Sequence, residues 1–388
     1  MKASFSLYLT LALGCAMSVA AQPSAAAVQV SVTNLVTDDQ TAHAAQITDP
    51  GLVNGWGISF SPTSPFWVSS NGAGTSMVYR VDPLTQATTK VGLTVSIPGA
   101  GNPTGQVFSG VAGQFNGNSF LFVSEDGTVS GWRGALGTNA ETLASSSAIY
   151  KGAAYSSIGG NSYLYAADFH GGAVSVFKGS AAAPALTGSF VDPSLPSGFA
   201  PFNVQALGGS LYVSYAEQTP GSGDETAGPG LGYVDRYDLQ GNLLARIAGG
   251  GPLNAPWGMA IAPDSFGAWA GALLVGNFGD GRISAFDITT HGLLGQVNGA
   301  DGNPLFIDGL WGLSVGNDVG AGSSHALYFS AGPDDESHGL FGVMQAVPEP
   351  GSVAMLVAGL VLLAWRASGR STQVKLNSSS RFSGEVPA

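Results

Sequence analysis

The sequence predicts an all-β fold, a six-bladed β-propeller with four-stranded blades, and three observations support this. Glycine is abundant, at 58 of 388 residues, which is typical of a chain with many tight turns. Hydrophobic residues make up 44% of the chain and aromatic residues 10%, too many for a disordered protein. A short apolar segment ending in a polar turn recurs six times at spacings of 43 to 63 residues, against about 40 to 50 residues for one propeller blade.

The most regular part of the repeat is the second strand of each blade, followed by a third. The second strands are predicted to begin at Phe66, Phe120, Tyr163, Leu211, Leu273 and Ala326. The third strands are predicted at Met77–Val81, Thr128–Trp132, Ala173–Phe177, Gly232–Tyr237, Arg282–Phe286 and Leu340–Met344. Each pair is predicted to form a hairpin, because polar and glycine residues separate its two apolar runs.

Inner strands precede these pairs, and glycine marks them because propeller centres are crowded. The clearest copies begin at Asn54, Ala255 and Gly309, and weaker ones begin at Tyr150 and Ala200. Outer strands are predicted at Thr88–Val95, Glu141–Ile149, Ala185–Val191, Asn242–Ile247 and Gly292–Val297. The sixth blade has none of its own. We expect Val28–Val36 to fill that position and close the ring, which removes an exposed edge.

Residues 1–27 have the pattern of a secretory signal peptide. Lys2 precedes an apolar run from Phe5 to Ala12, and small residues allow cleavage after Ala21 or Ala27. The pattern predicts export and processing by a signal peptidase. Cys15 is the only cysteine of the chain, so a cleaved protein has no thiol for a disulfide, a metal or nucleophilic catalysis.

At the other end, residues 348–370 combine a short motif, an apolar segment and arginines. Pro348, Glu349 and Pro350 precede the apolar run Val353–Trp365, and Arg366 follows it. This arrangement resembles the PEP-CTERM sorting signal of Gram-negative bacteria. The resemblance implies a transmembrane helix that anchors the protein transiently in the inner membrane. It also implies an exosortase-type transpeptidase as partner, and a final position at the cell surface or in the extracellular matrix. The polar residues 371–388 extend beyond this signal.

A second resemblance covers most of residues 35–345. The segments Ala255–Gly258, Val275–Gly281 and Gly309–Leu313 are similar to those of a family of uncharacterised bacterial secreted proteins with NHL-like propellers. The resemblance implies a propeller fold and export from the cell, but it implies no particular reaction.

Charge restricts the partners of the predicted propeller. Residues 28–347 contain eight Lys and Arg against 23 Asp and Glu, a net charge of −15. A domain this acidic repels phosphate backbones, so nucleic acid is excluded as a partner. Cations, cationic surfaces, neutral glycans or another exported protein fit better as ligands, although solubility alone would also explain the charge.

Catalytic motifs give little support for an enzyme. Gly312–Gly316 fits the nucleophile pattern G-x-S-x-G, but that motif needs a sharp strand-to-helix turn. Ser314 falls inside a predicted inner strand, so we interpret it as a strand residue. No HExxH, Walker or EF-hand spacing occurs.

Polar and aromatic residues are predicted to converge on one mouth of the channel, where the inner strands begin. This ligand face comprises Asn54, Trp56, Asn203, Trp257, Asn277, Asp308 and Trp311, with Asn71, Glu125 and Glu336 among the residues outside it. The tryptophans suit either ligand stacking or packing between blades. Asp280, Asp334 and Asp335 are predicted in neighbouring loops, where carboxylates suit Ca²⁺. Their alternative role is that of ordinary turn residues.

Two function classes follow. The first is an exported, surface-anchored binding or matrix protein that uses its acidic channel mouth. The second is a divalent-ion-dependent propeller enzyme of the lactonase or polysaccharide lyase type. The binding class is favoured, because an enzyme of this type needs a carboxylate and amide set inside the channel. Only Asp308, Asn54 and Asn203 lie at inner-strand starts, with no evident base beside them.

Overall fold

A computed structural model describes residues 27–347 and 352–368. Two strands precede the first blade: β1 (Gln29–Thr37) and β2 (Ile47–Thr48). Blade one comprises β3 (Gly55–Ser59), β4 (Phe66–Ser70), β5 (Thr75–Val81) and β6 (Thr88–Ser96). Blade two comprises β7 (Pro103–Phe108), β8 (Phe120–Ser124), β9 (Thr128–Trp132) and β10 (Glu141–Ser145). Blade three comprises β11 (Tyr150–Ile158), β12 (Asn161–Asp168) and β13 (Ala173–Lys178).

The remaining strands build the other half of the ring. Blade four comprises β14 (Phe199–Leu207), β15 (Ser210–Gln218), β16 (Glu225–Thr226), β17 (Tyr233–Tyr237) and β18 (Leu243–Gly249). Blade five comprises β19 (Pro256–Ile261), β20 (Leu273–Asn277), β21 (Ile283–Phe286) and β22 (Leu293–Gln296). After β23 (Asn298–Gly299), blade six comprises β24 (Leu310–Val315), β25 (Leu327–Ala331) and β26 (Leu340–Ala346). Among the described residues, the helices are three short 3₁₀ helices, at Phe115–Gly117, Gly134–Leu136 and Asp264–Trp269, and α1 (Ser352–Ser368).

These sheets form a closed six-bladed β-propeller, as predicted. Within every blade the main strands are antiparallel neighbours in chain order, and the short β16 of blade four pairs with the end of β15 outside this order. The inner strands β3, β7, β11, β14, β19 and β24 each contact the next one, and β24 contacts β3. The ring is therefore continuous around a central channel, and all six inner strands begin at the same end of it.

Closure of the ring by the N-terminal strand is confirmed. β1 pairs with β26 in antiparallel register from Val30 opposite Ala346 to Thr37 opposite Leu340, with one bulge. Val30, Leu35 and Val36 are fully buried, Val30 against side chains of blade five and Leu35 and Val36 against side chains of blade one. The first strand of the chain thus completes the last blade, and it also pairs with β2 and β23.

Side-chain packing between neighbouring blades forms the core. Trp67 of blade one stacks on Phe120 of blade two with ring centroids 4.1 Å apart. On the other side, Phe66 lies 4.7 Å from the ring of Tyr328 in blade six. Aromatic pairs of this kind add to the apolar surface that each blade buries.

Blade three differs from the prediction, because it has three strands. The segment 185–191, predicted as its outer strand, is a loop. Its backbone binds the next blade instead, since the N–H of Gly188 donates to the carbonyl of Gln240 and that of Phe190 to the carbonyl of Gly241. The Phe190 ring also contacts Tyr165 and Tyr237. These contacts hold the segment away from β13.

The C-terminal helix does not support the predicted transmembrane anchor. α1 has 17 residues, which span about 25 Å at 1.5 Å per residue, against about 30 Å for a bilayer core. Among the residues that the structure describes, no helix is both long enough and apolar enough to cross a membrane. The side chains of Leu360–Leu363 and Trp365 on this helix are exposed.

Candidate functional site

Near the start of every inner strand, one equivalent residue directs its side chain to the centre of the ring. Each inner strand shifts its register against the second strand at this point, as a β-bulge does when it redirects a side chain. The residues at this position are Trp56, Thr104, Lys151, Phe202, Trp257 and Trp311. Four of the six are aromatic and one is a lysine.

The aromatic members form a plug that fills the channel. Trp56 stacks on Trp311 with centroids 3.6 Å apart, and Trp257 meets both rings edge-on at 5.9 and 5.8 Å. Phe278 stacks on the other side of Trp311 at 4.0 Å. The three tryptophans are at most 4% exposed, so in this structure they pack together and present no open ring to a ligand. Ligand stacking on them stays a prediction.

Glycines directly after the plug allow the inner strands to approach so closely. A Cβ atom on Gly57 would lie 2.5 Å from the carbonyl oxygen of Thr104 in the next blade. Gly105, Gly152, Gly258 and Gly312 would meet their neighbouring blade at 2.0 to 2.6 Å. Blade four has an asparagine instead, Asn203. Its amide donates to the carbonyl of Trp257 at 2.8 Å and so ties blade four to blade five.

Thr104 and Lys151 take the two remaining positions beside the plug, and Lys151 is 3% exposed. Its Nζ lies 5.3 Å from the ring centroid of Trp56, within range of a cation–π interaction. The same Nζ donates to Glu125 Oε1 at 2.6 Å and to Asp224 Oδ1 at 3.5 Å. A buried ammonium thus lies beneath a group of carboxylates.

Four acidic side chains surround this lysine at the end of the channel where the inner strands begin. We call this group, Glu125, Asp224, Glu225 and Glu336, the acidic mouth. Two asparagines donate hydrogen bonds to this group. Asn71 Nδ2 donates to Glu125 Oε2 at 3.0 Å, and Asn54 Nδ2 donates to Glu336 Oε2 at 2.8 Å. Asn54 also accepts a hydrogen bond from Trp311 Nε1 at 3.0 Å, which links the acidic mouth to the plug.

Burial and then neighbouring charges shift the pKa values in the acidic mouth. Burial, and then the charge of Glu225, raises the pKa of Glu336 to about 7. Burial also raises the pKa of Glu225, against the opposing effect of Lys151. Burial alone would lower the pKa of Lys151, but Glu125 and Glu225 raise it overall. Lys151 is therefore a permanent cation, whereas Glu336 changes its charge near neutral pH.

An unusual loop conformation brings Glu336 to this position. Asp334, Asp335 and Glu336 all have positive φ angles, between 53° and 65°, which non-glycine residues rarely adopt. The N–H of Glu336 donates to the carbonyl of Gly332, and the turn directs its side chain to Asn54. Such backbone strain often accompanies a functional site.

The predicted ligand-face residues are at the expected end of the channel, but all of them except the exposed Asp308 are buried. Asn54, Asn203 and Asn277 are at most 2% exposed, and all three donate side-chain hydrogen bonds within the protein. Asp308 accepts from the N–H of Asp334 at 2.9 Å. Their direct role is to hold the blades and loops in place, and ligand contact at them stays a prediction.

The structure does not gather the three predicted Ca²⁺ ligands. Asp280 accepts from Asn277 Nδ2 at 3.0 Å within its own hairpin turn. Asp334 Oδ2 lies 2.9 Å from His43 Nε2, and Asp335 is exposed. Within residues 27–347 and the described part of α1, no group of three or more His, Cys, Asp or Glu side chains is arranged to hold a metal ion. The Ca²⁺ site stays a prediction.

The predicted sorting motif cannot be compared with the structure. Pro348, Glu349 and Pro350 lie outside the described residues, as do the predicted signal peptide residues 1–26. Arg366 is described and lies exposed on α1.

Lys151, Asp224 and Glu225 were not singled out from the sequence. Lys151 occupies the position that tryptophan takes in blades one, five and six, so the alignment of inner strands contained that signal. Asp224 and Glu225 lie in the insertion that makes blade four the longest, where β16 adds to β15. An insertion has no counterpart in the other repeats, and nothing in the sequence predicts that it reaches Lys151.

Comparison with known proteins identifies two relatives of similar length. Uncharacterised protein R648 of Acanthamoeba polyphaga mimivirus is 30% identical over 326 residues, 80% of this chain and 78% of the relative. Uncharacterised protein L690 of the same virus is 31% identical over 319 residues, 76% of this chain and 80% of the relative. No protein-family model matches the chain. Among solved structures, a streptogramin B lyase covers 83% of the chain at 10% identity with a TM-score of 0.45.

These relatives correct one prediction. Membership of a bacterial secreted family with a PEP-CTERM signal is wrong, because the relatives found belong to a giant virus and no family model matches. The segments behind that resemblance are the inner strands β19 and β24 and the hairpin turn after β20. Small residues and turn residues are required there by propeller geometry, so they do not specify a lineage.

Proposed function

The chain belongs to the family of the mimivirus proteins R648 and L690, and within this family we propose that it is a binding protein whose acidic mouth holds a positively charged group of its partner. A propeller is a general scaffold for binding or catalysis, so the proposal depends on the site. The observation that carries it is an excess of carboxylates over cations at one end of a plugged channel.

The arrangement of the charges favours a visiting cation over an anion. Lys151 is 3% exposed, whereas Glu125 is 25% and Asp224 is 72% exposed. An approaching partner therefore meets carboxylate oxygens before it meets the ammonium group. Four carboxylates against one lysine leave negative charge uncompensated, and opposite charges are attracted and oriented by such a surface.

The raised pKa of Glu336, about 7, supports the same interpretation. After burial, the charge of Glu225 disfavours the ionisation of Glu336, and after burial the charges of Asp224 and Glu125 disfavour that of Glu225. A positive group between them would relieve this repulsion, as an opposite charge nearby favours the ionised carboxylate. An ammonium group suits the place, because it donates three hydrogen bonds and does not require the complete set of oxygen ligands that Ca²⁺ does.

Isothermal titration calorimetry with tetralysine tests this function. We expect binding that weakens with added salt, because the attraction is electrostatic. The double variant Glu225→Gln, Glu336→Gln is expected to bind at least about tenfold more weakly, a loss of about 1.4 kcal/mol. Asp264→Asn is the matched control, since Asp264 is exposed at the start of a 3₁₀ helix at the opposite end of the channel.

Calcium chloride at equal ionic strength is the second arm of that titration. If tetralysine binds equally to the double variant and the control, the acidic mouth is not the site. If only Ca²⁺ binds, the partner is a metal ion and the ammonium proposal is overturned.

We also propose that the protein is exported, on the evidence of residues 1–27 alone. Lys2 and the apolar run from Phe5 to Ala12 support recognition as a signal peptide, with signal peptidase as the processing partner. Mass spectrometry of the protein from its native cell is expected to find an N-terminus at Gln22 or Val28. Recovery of the intact Met1 N-terminus from the mature protein would contradict export by this route.

A further inference from the structure

The opposite end of the channel holds a separate cavity. Its volume is about 390 Å³, within the range of roughly 300–1,000 Å³ of small-molecule sites. Five of the six blades contribute to it, so it lies on the axis of the ring. A separate small void of about 10 Å³ shares Ile58, Gln106, Ala153 and Gln205 with this cavity and is also lined by Trp257. The tryptophan plug therefore lies between the cavity and the acidic mouth.

The lining of this cavity is uncharged. It combines the rings of Phe60, Phe108 and Tyr155 with the amides of Gln106 and Gln205, and no Asp, Glu, Lys, Arg or His lines it. The three rings are partly exposed. An ionic ligand would lose its hydration here without gaining a counter-charge, so the chemistry favours a neutral molecule with both apolar and hydroxyl surface.

Polar groups in this lining are free to bind such a molecule. The Gln205 amide has no hydrogen-bond partner among the described residues, and it offers two donors and an acceptor. The hydroxyl of Ser59 is buried and also lacks a partner among the described residues. By contrast, Gln106 already binds Ser76 and the carbonyl of Gly57. Unpaired polar groups cost free energy that a hydrogen-bonding ligand restores.

From these observations we propose that this cavity is a binding site for a neutral carbohydrate, about one or two sugar rings in length. Sugar rings present an apolar C–H face that packs on aromatic side chains and hydroxyls that pair with amides. The Phe60, Phe108 and Tyr155 rings can pack on the apolar face of a sugar, and the Gln205 amide can pair with its hydroxyls. The site is independent of the acidic mouth, because the plug lies between them.

Tryptophan fluorescence and calorimetry with neutral disaccharides of different linkages, including cellobiose, maltose and chitobiose, test the site on the full chain. Binding of at least one is expected, with a change in fluorescence because Trp257 lies beneath the cavity. Gln205→Leu keeps the size of the side chain and removes its amide. It is expected to weaken binding by at least about tenfold.

Gln345→Leu is the matched control, because Gln345 is exposed on β26 and remote from the channel. Ala206→Trp is a second variant at an exposed rim position, and it should block entry without replacing any hydrogen bond. Glu225→Gln should leave sugar binding unchanged. The proposal is overturned if no disaccharide binds up to its solubility limit. It is also overturned if Gln205→Leu and Ala206→Trp bind sugar as tightly as the unmodified chain.

Discussion

Glu336 connects the charge of the acidic mouth to the stability of the fold. Its pKa is about 7 in the folded protein, against an ordinary value of 4.5, so the folded state favours the protonated form. The contribution of Glu336 to stability is present below about pH 4.5 and is lost as the pH rises through about 7. Loss of a proton there leaves a carboxylate next to Glu225 in a partly buried position.

Glu336→Gln should remove this pH dependence, because glutamine resembles the protonated acid and still accepts the hydrogen bond from Asn54. Its melting temperature should exceed that of the unmodified chain by a few degrees near pH 8 and match it near pH 4.5. Asp335→Asn is the control, since it removes an exposed charge from the same loop. Parallel pH profiles for Glu336→Gln and the unmodified chain would contradict the assignment.

Gly57 shows how a single missing side chain sets the distance between blades. Gly57→Ala places a methyl group 2.5 Å from a backbone oxygen and 2.9 Å from a backbone nitrogen of blade two, so the strands must separate. We expect a loss of about 1–3 kcal/mol in the free energy of unfolding, as for other overpacked cores. Gly92→Ala is the matched control, because a Cβ there meets nothing within 4 Å. Equal denaturation midpoints would show that the inner strands are not closely packed.

At the scale of elements, β1 is the strand that closes the ring. Val30 and Val32 lie on this same strand, but Val30 is fully buried and Val32 is 40% exposed. Val30→Asp would bury a charge without a partner, and we expect it to cost more than about 3 kcal/mol. Val32→Asp should change stability little. Chemical denaturation of both variants checks this, and equal tolerance would mean that β1 does not pack against the neighbouring blade.

More of the strand arrangement than of the candidate site could be predicted from the sequence. The hairpins and the inner-strand glycines depend on local residue patterns, and the closing role of β1 followed from a missing outer strand in blade six. An outer strand was predicted at 185–191 in blade three, but that segment is a loop, because Gly188 and Phe190 bind the turn of blade four. Their tertiary contacts override a strand-like segment.

The acidic mouth was predictable only in part. The ligand face was predicted at this end of the channel, with Glu125 and Glu336 outside it. Lys151 and Glu225 were missed, because three different blades supply the acidic mouth and a fourth supplies the lysine. The left-handed turn that directs Glu336 to Asn54 uses three non-glycine residues, against the usual sequence preference. Only the folded chain shows this convergence.

At the scale of the whole molecule, the plug divides the channel into two ends with different chemistry. The end where the inner strands begin carries the acidic mouth, and the other end carries an uncharged cavity. Binding at the two ends should therefore be independent. Saturation of one end should leave the dissociation constant at the other unchanged within error, which calorimetry with both probes checks. A large coupling would show that the plug rearranges on binding.

A positive group bound among the carboxylates of the acidic mouth should change the titration of Glu336. ¹³C NMR titration of the Glu336 carboxyl in the full chain, with and without saturating tetralysine, measures this change. A bound ammonium group should lower the pKa of Glu336 from about 7 towards its ordinary value of 4.5, because the cation favours the carboxylate. A pKa that stays near 7 with tetralysine bound would contradict binding at the acidic mouth.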